Sequence, residues 1–276
     1  MTDIKNLKNT KGQWPKAAKF WPNIGPPLRP IHEDLQFIRN ELEIYSDTPL
    51  NALILGVTPE YYNLPWPKSS YVQALDCTAE MIDFVWPGPK ENAILGDWRS
   101  IPLPSGQTDV VLCDGGLLLL DFPQGHEKMA SELARILKPG GLAIFRIFTQ
   151  PAEPESPGDV ISDLMNHRIR DLNCLKIRLG NAMQENTDSG IELSKIWNML
   201  RNNTSDWESL SKYLGWPLET LEAINAYQNN PAIYHFLTAE QADELFAKHG
   251  LKCSQRFIPE YQMGLQCPTH FYRKRS

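Results

Sequence analysis

The first residues with the types and spacing for chemistry follow a short apolar run near the start of the chain. Residues 51–60 read NALILGVTPE, in which the apolar stretch stops at Gly56 and the chain continues through Thr58 to Glu60. A glycine directly after a buried strand lets a ligand approach the backbone, because no Cβ stands in the way. A strand that leads through such a turn into a helix is the usual entrance to a nucleotide site, although this turn has one glycine.

Acidic residues follow three apolar runs further along the chain. YVQALD ends at Asp76, Gly96 leads into Asp97 after NAIL, and DVVLCD ends at Asp114 before Gly115. Carboxylates accept hydrogen bonds from ligand hydroxyl and amino groups. The carboxyl ends of parallel strands meet at one edge of a sheet, where open α/β sheets bind their ligands. We therefore predict one site, formed by these residues together with the glycine turn.

The elements that must position these residues alternate in type. The apolar runs are ALILG at 52–56, YVQALD at 71–76, NAILG at 92–96, DVVLCD at 109–114 and LAIFRIF at 142–148. Before the last run, apolar residues recur on one helical face at Met129, Leu133, Ile136 and Leu137. KPGG at 138–141 is expected to end that helix, with glycine as its left-handed cap. Strands that alternate with helical or loop crossovers predict a parallel sheet covered on both faces.

The rest of the chain divides into three parts. Residues 1–31 are rich in Pro, Trp and Lys and predict an N-terminal arm. Residues 151–236 contain one helical stripe after another and predict an all-helical cap inserted between strands. A capped helix and two strand-like stretches follow in 237–276. Residues 32–150 and 237–276 are therefore expected to form a single α/β domain.

Composition argues against several classes of protein. The chain has 276 residues, 42% of them hydrophobic, which is ample for one large core, and its net charge of -6 provides no positive field for nucleic acid or an acidic membrane. The N-terminus has no apolar signal segment, and the longest aliphatic stretch, 117–120, is too short for a bilayer. We expect a cytoplasmic protein with a small-molecule partner; the oligomeric state is left open. The five cysteines form no C-x-x-C pair, so neither a metal site nor a disulfide framework is expected.

Three segments carry a family resemblance. GDWRSIPLPSGQTDVV at 96–111 and ELARILKPGGLAIFRIF at 132–148 resemble the most recognisable region of class I S-adenosylmethionine-dependent methyltransferases, and LTAEQADELFAKHGLKC at 237–253 resembles the helix and strand that end many members. The resemblance implies a doubly wound, Rossmann-like α/β fold. Its seven-stranded sheet would be mainly parallel with the last strand antiparallel, and the helical cap would be an insertion. S-adenosylmethionine is the cofactor that the resemblance implies.

The resemblance also implies a role for each matched position. Gly56 would let the methionine part of the cofactor approach the first strand, and Asp76 would accept hydrogen bonds from both ribose hydroxyls. Asp97 would accept from the adenine amino group, and Trp98 beside it offers a stacking face.

The methionine end departs from the family pattern. Asp114 and Gly115 would border the methionine part and the methyl group, as in the family. The family has an acidic residue two positions before the first of three alternate glycines, whereas Ile54, Thr58 and Glu60 replace the acidic residue and the second and third glycines. The Thr58 hydroxyl is expected to replace a backbone contact, and the Glu60 carboxylate to bind the ammonium group of the cofactor.

Candidates for catalysis are His126, Arg146 and His167, and His235 is a further histidine near the cap. Methyl transfer is an in-line displacement for which holding the nucleophile and the methyl carbon in line can suffice, so a general base is not always required. Arg146 either meets a substrate carboxylate or pairs with an internal acid, since a buried cation needs a partner.

Two further sets of residues each have two interpretations. The basic residues of the cap form either a solvated helix face or an anion site, and they are Arg168, Arg170, Lys176 and Arg178. The aromatic and proline residues of the arm form either a lid or a packing arm, and they are Trp14, Trp21, Pro26 and Pro27.

We therefore predict a methyltransferase that moves a methyl group from S-adenosylmethionine to an oxygen, nitrogen or carbon of a small metabolite under the cap. Nucleic-acid substrates are not expected, because Gly115-Gly116-Leu117 follows Asp114 where DNA amino-methyltransferases have Pro-Pro-aromatic. A nicotinamide oxidoreductase would need G-x-G-x-x-G after the first strand. The alternative is a non-catalytic relative that uses a degenerate cofactor pocket for ligand sensing or protein interaction.

Overall fold

A computed structural model describes residues 18, 21, 24–45 and 47–275, and its centre is a seven-stranded sheet. The strands of the chain are β1 (Asn51–Leu55), β2 (Tyr71–Asp76), β3 (Ala93–Leu95), β4 (Thr108–Asp114), β5 (Leu137–Arg146), β6 (Ile191–Glu192), β7 (Ile233–Tyr234), β8 (Leu251–Phe257) and β9 (Thr269–Lys274). The order across the large sheet is β3-β2-β1-β4-β5-β9-β8. Strand β9 is antiparallel to both of its neighbours, and the other six strands are parallel to one another. This confirms the predicted Rossmann-like sheet with its last strand antiparallel.

Helices cover both faces of this sheet. The helices are α1 (His32–Glu43), α2 (Pro59–Tyr62), α3 (Ala79–Phe84), α4 (Gln124–Ile136), α5 (Pro157–Met165), α6 (Leu172–Met183), α7 (Leu193–Asn202), α8 (Trp207–Leu214), α9 (Leu218–Glu222) and α10 (Ala239–Lys248). Apolar residues of α4 and α10, among them Leu133 and Phe246, pack with one face of the sheet. Apolar residues of α1 and α3, among them Ile38 and Met81, pack with the other. Burying both faces gives the near-continuous apolar strands on which the prediction depended.

The end of α4 differs from the prediction that glycine caps it. The helix stops at Ile136, and Leu137 after it is extended, with φ -66° and ψ 141°. Gly140 has a positive φ of 75°, but it lies within β5. Lys138 precedes Pro139, and the residue before a proline is driven out of the helical region. The chain therefore passes directly from the helix into the strand, and the glycine shapes a turn within β5.

Residues 151–236, here called the cap segment, form α5 to α9 and bury an apolar cluster of their own. The prediction that this segment is all-helical was wrong, because β6 and β7 pair antiparallel within it, with Ile191 opposite Tyr234. Two-residue strands have too few positions to show an alternating pattern, which is why the sequence did not reveal them. The division of the chain into domains at these boundaries stays a prediction.

The first four strands bring their carboxyl ends to one edge. Leu55 of β1 lies beside Leu75 of β2 on one side and Cys113 of β4 on the other. The residues that follow these positions are Gly56, Asp76 and Asp114. Parallel register therefore gathers the predicted site residues at one edge of the sheet. Within the described part of the chain, no helix combines the length and apolar character needed to cross a membrane.

Candidate active site

A cavity of about 450 Å³ opens at the carboxyl edge of β1 to β4. The strand-end residues that line it are Gly56, Thr58, Asp76, Gly96, Asp97, Trp98, Asp114 and Gly115. Trp21, Ile24 and Leu28 of the arm line it as well, as do residues of the cap segment between 176 and 235. The structure thus brings together eight of the nine residues predicted to bind the cofactor. Of the proposed lid residues, Trp21 borders the cavity, Pro26 and Pro27 do not, and Trp14 lies outside the described residues.

One glycine shapes the turn after β1. Gly56 has φ +86°, a conformation that residues with a Cβ rarely adopt, and its N–H donates to the carbonyl of Leu75 at 2.8 Å. A Cβ at this position would point between Asp76 and Trp98, 3.8 Å from Oδ2 of the former and 3.4 Å from the indole of the latter. The missing Cβ therefore leaves open the space between these two side chains. Thr58 follows, buried, and α2 begins at Pro59.

Glu60 is the predicted cofactor-binding residue that does not line the cavity. Its carboxylate accepts a hydrogen bond from Nε of Arg29 at 2.7 Å and forms an ion pair with the same guanidinium. That guanidinium in turn lies over the ring of Trp21, 4.9 Å from the centroid. The ion pair of Glu60 with Arg29 therefore links α2 to the N-terminal arm. A pairing across 31 positions leaves no local signal in the sequence.

Asp76 is held with one carboxylate oxygen available to the cavity. Its Oδ1 accepts from the backbone N–H of Thr78 at 2.7 Å, which orients the side chain at the end of β2. Its Oδ2 lies toward the glycine turn, and the Thr78 side chain also interacts with the carboxylate. Burial raises the pKa of Asp76 to about 6. The carboxylate is thus a positioned acceptor whose desolvation a ligand hydroxyl would relieve.

Asp97 and Trp98 follow β3 and are both fixed by partners. Asp97 accepts from Nη2 of Arg99 at 2.7 Å and from the Arg99 backbone N–H at 2.8 Å. Burial opposes ionisation of Asp97, but the hydrogen bonds from Arg99 outweigh it and lower the pKa of Asp97. The indole N–H of Trp98 donates to the carbonyl of Leu75 at 2.7 Å. Neither Arg99 nor Asp121, with which Arg99 forms an ion pair at 3.0 Å, was identified from the sequence. The position of Arg99, a basic residue two positions after an acid at a strand end, could have indicated its pairing with Asp97.

Asp114 belongs to a buried ionic network below the cavity. Nε of Arg146 donates to Asp114 at 2.5 Å, and Arg146 is 0% exposed. The same guanidinium donates to the carbonyl of Pro27 at 2.7 Å and to the Tyr261 hydroxyl at 3.3 Å, and that hydroxyl donates to Asp34. Burial raises the pKa of Asp114 to about 6, against the opposing effect of Arg146. Arg146 thus pairs with an internal acid and does not line the cavity.

The histidines occupy three different environments. His126 is buried beside the cavity with Nδ1 3.1 Å from the carbonyl of Asp121, and burial lowers the pKa of its ring. His167 is exposed in the cap segment, and the structure does not bring it to the cavity. His235 lines the cavity with Nδ1 2.7 Å from the carbonyl of Thr187. A carbonyl only accepts, so Nδ1 of His235 carries a proton and Nε2 of the neutral ring is an acceptor.

The basic cluster of the cap segment separates into paired and unpaired residues. Three members form ion pairs, namely Arg168 with Asp163, Arg170 with Asp171, and Arg178 with Glu155 and Asp163. Lys176 has no carboxylate partner among the described residues, and its amine lies 5.5 Å from the ring centroid of Tyr227. Lys176 also lines the cavity, so one of the four residues is placed to meet a ligand.

One cluster away from the cavity has the residue types of a metal site. Ligand atoms of Asp243, Cys253 and His270 lie within 4.8 Å of one another. The carboxylate of Asp243, however, pairs with Arg256 at 2.5 Å and accepts from the Tyr272 hydroxyl at 2.8 Å. A guanidinium already supplies the positive charge that a metal ion would bring, so these residues form a hydrogen-bonded network between α10, β8 and β9.

The fold and the cavity together define an α/β protein of the doubly wound, Rossmann-like class with a cavity at the carboxyl edge of its sheet. A family model described as a methyltransferase domain matches residues 55–145, which run from the end of β1 into β5 and include Asp76, Asp97 and Asp114. This part of the chain is therefore similar to a methyltransferase domain. No curated protein matches the chain in sequence.

Solved structures with the same fold include several methyltransferases. One is the 1,6-didemethyltoxoflavin-N1-methyltransferase of Burkholderia thailandensis, solved with 1,6-didemethyltoxoflavin and S-adenosylhomocysteine. The match covers 100% of this chain and 92% of that chain, with 11% identity and a TM-score of 0.54. A chain from the complex between the Haloferax volcanii Trm112 methyltransferase activator and the putative methyltransferase matches over 98% of each chain, with 12% identity and a TM-score of 0.54. An S-adenosylmethionine-dependent methyltransferase from Methanosarcina mazei matches 85% of this chain over 97% of its own, with 12% identity and a TM-score of 0.50. At these identities the similarity demonstrates the shared fold.

Proposed function

We propose that this protein binds S-adenosylmethionine at the strand ends and transfers its methyl group to a small molecule held beneath the cap segment. The observation that carries the proposal is a single cavity with two kinds of wall. Gly56, Asp76 and Asp97 line it at the strand ends, whereas Tyr227 and His235 line it from the cap segment. A methyl donor and an acceptor must meet in one enclosure, so one cavity with two walls suits this reaction.

The strand-end wall suits the chemical groups of S-adenosylmethionine. We assign the ribose hydroxyls to the carboxylate of Asp76, the adenine to the side of Asp97 and Trp98, and the methionine part to Gly56 and Gly115. Gly115 has φ +61°, and a Cβ there would lie 2.4 Å from the ring of Phe148. Both glycines therefore keep space open where a side chain would otherwise intrude.

The protein's own contribution to the transfer is positioning and exclusion of water. When bound, the cofactor supplies an electrophilic methyl group on its sulfonium. Leu118, Leu119 and Phe148 give the cavity an apolar wall, which keeps water from the reacting atoms. His235 is the histidine placed to accept a proton from the acceptor molecule, since its Nε2 is an acceptor when the ring is neutral.

Replacing His235 by glutamine tests this assignment. We expect kcat to fall about tenfold to a hundredfold, the lower range for loss of a general base, with the affinity for S-adenosylhomocysteine unchanged. His167→Gln is the control, because His167 lies outside the cavity. Equal kcat values for the two variants would remove His235 from the reaction.

Cofactor affinity is expected to depend on pH through Asp76. Its pKa of about 6 means that the carboxylate is mostly ionised at pH 7 and mostly protonated at pH 5. The ionised form accepts the hydroxyl hydrogen bonds, so the affinity for S-adenosylhomocysteine should fall about tenfold between pH 7 and pH 5. Calorimetric titration at several pH values measures this. Asp114, whose pKa is also about 6, titrates in the same interval, so Asp76→Asn must flatten the profile for the assignment to hold.

Two measurements test the proposed function. Calorimetry should give binding of S-adenosylmethionine and S-adenosylhomocysteine near micromolar, about -8 kcal/mol. Tritium-labelled S-adenosylmethionine should then transfer label to a component of a metabolite extract. Absence of binding to folded protein, freed of any copurified ligand, would refute the proposal.

A non-catalytic relative is the second candidate. The observation that favours it is the altered turn after β1, where Thr58 replaces a glycine and Glu60 pairs with Arg29. Such a protein would bind the cofactor and respond to a ligand without turnover. Binding of both cofactor forms with no label transfer to any extract would favour this candidate.

A further inference from the structure

Among the described residues, one positive charge in the cavity has no counter-ion. The charged residues that line it, among those described, are Asp76, Asp97, Arg99, Asp114, Asp121 and Lys176. Arg99 pairs with Asp97 and Asp121, at 2.7 and 3.0 Å. Lys176 has no hydrogen-bonded or ion-paired partner among the described residues. An ammonium group in this position is available to an anion from outside the chain.

The surroundings of Lys176 are apolar and aromatic. Its amine lies 5.5 Å from the ring centroid of Tyr227, which is buried. Ala223, Ala226 and Phe148 also line the cavity. An ammonium group between such walls loses hydration, and the attraction of an aromatic ring offsets only part of that loss. Burial lowers the pKa of Lys176 to about 8, against the opposing effect of Asp171. A negative charge beside the amine would stabilise its protonated form.

Neighbouring cations of the cap segment lack this property. Arg170, which precedes α6, and Arg178, which lies on α6 with Lys176, are both paired with carboxylates. Asp76 and Asp114 line the cavity at the strand ends, whereas Lys176 lines it from the cap segment. Carboxylates repel an anionic group and an ammonium group attracts it, so the anionic group of a bound molecule is favoured beside Lys176.

We propose that Lys176 binds the anionic group of the acceptor molecule, and that the acceptor is an apolar, ring-bearing compound with one carboxylate-type group. The proposal rests on the proposed function, since it names the acceptor of the same cavity. The single unpaired cation accounts for one anionic group, and the apolar and aromatic walls account for the ring-bearing body. The cofactor's own carboxylate is the competing anion, and the experiment separates the two.

The test compares a carboxylate with its neutral isostere. Protein saturated with S-adenosylhomocysteine is titrated calorimetrically with 2-naphthoate and with 2-naphthamide. We expect the wild type to bind the carboxylate at least tenfold more tightly than the amide, because a charge-assisted hydrogen bond is stronger than a neutral one. Lys176→Met should abolish this preference while keeping the length of the side chain. Lys195→Met, which changes an exposed lysine of α7, should retain it.

Two results would overturn the proposal. One is a wild type without a preference for the carboxylate, which includes binding of neither compound. The other is a preference that persists in Lys176→Met, whose fold is checked by circular dichroism and thermal unfolding.

Separate titrations with S-adenosylhomocysteine distinguish this proposal from the proposed function. Affinity for it in Lys176→Met should stay within threefold of the wild type. A tenfold loss in the variant, with no carboxylate preference in the wild type, would assign Lys176 to the cofactor and overturn the proposal. If the wild type does not bind S-adenosylhomocysteine at all, the proposed function fails. The naphthoate comparison is then made without it, and a preference that depends on Lys176 would still demonstrate the anion site.

Discussion

Asp76→Ala is expected to weaken binding of S-adenosylmethionine and S-adenosylhomocysteine by about a hundredfold. The carboxylate is fixed by the backbone N–H of Thr78 at 2.7 Å, and its second oxygen lies toward the glycine turn. Hydrogen bonds to a charged group contribute about 1.5–3 kcal/mol each, so losing two hydroxyl contacts corresponds to about 3 kcal/mol or more. That difference is about two orders of magnitude in the dissociation constant. Calorimetric titration with either ligand measures it.

Two variants control this experiment. Asp76→Asn keeps an acceptor for the Thr78 N–H but removes the charge, so its affinity should lie between those of the wild type and Asp76→Ala. Asp83→Ala changes an exposed acid of the neighbouring helix α3 and should bind both ligands like the wild type. An Asp76→Ala protein that is folded and binds with unchanged affinity would place the ribose elsewhere.

Arg146→Met is expected to lower the free energy of unfolding by about 3–5 kcal/mol. The guanidinium is 0% exposed and donates to Asp114, the carbonyl of Pro27 and the Tyr261 hydroxyl. Its removal leaves the Asp114 carboxylate buried without the cation that balances it. Methionine fills much of the same volume, so the loss reports the charge more than a cavity. Urea unfolding followed by circular dichroism gives the midpoint, and an unchanged m-value would show that the denatured state is unaffected.

The matched control is Arg168→Met in the cap segment. Arg168 also pairs with a carboxylate, that of Asp163, but its side chain is 69% exposed, so the expected change is about 0–1 kcal/mol. The double variant Arg146→Met/Asp114→Asn should recover part of the loss, because it also removes the unbalanced charge. A change below about 1 kcal/mol in Arg146→Met would contradict the assigned role of the network.

Local patterns in the sequence determined the sheet and the edge at which the site lies. Apolar runs that end in Gly56, Asp76 and Asp114 predicted parallel strands. An acid at the end of such a strand can be assigned to the carboxyl edge of the sheet without knowing its distant contacts. Helical periodicity likewise predicted α4, because the apolar residues that face the sheet recur at regular spacing within the helix itself. The predicted glycine cap of α4 was wrong for an equally local reason. Pro139 disfavours a helical conformation of the residue before it, so the helix ends at Ile136, before it reaches the glycine.

Only the tertiary structure decided which charged residues have partners. Glu60 pairs with Arg29 across 31 positions, and Arg146 pairs with Asp114 across 32. The sequence therefore suggested a ligand role for Glu60 and left two roles open for Arg146. Side chains so far apart in the chain meet only after the sheet, the arm and the cap segment have packed, so no local pattern encodes their contact.

The same limit applies to the residues on the cap side of the cavity. His126, His167 and His235 were equivalent in sequence, and Arg168, Arg170, Lys176 and Arg178 formed one cluster. In the structure, His235 and Lys176 line the cavity and the others do not. The sequence by itself determined the class of fold, the methyltransferase resemblance and the strand-end half of the site, because these depend on residues close together in the chain. The cap side of the cavity was decided by tertiary structure, because the packing of separate elements selects which side chain of each faces inward.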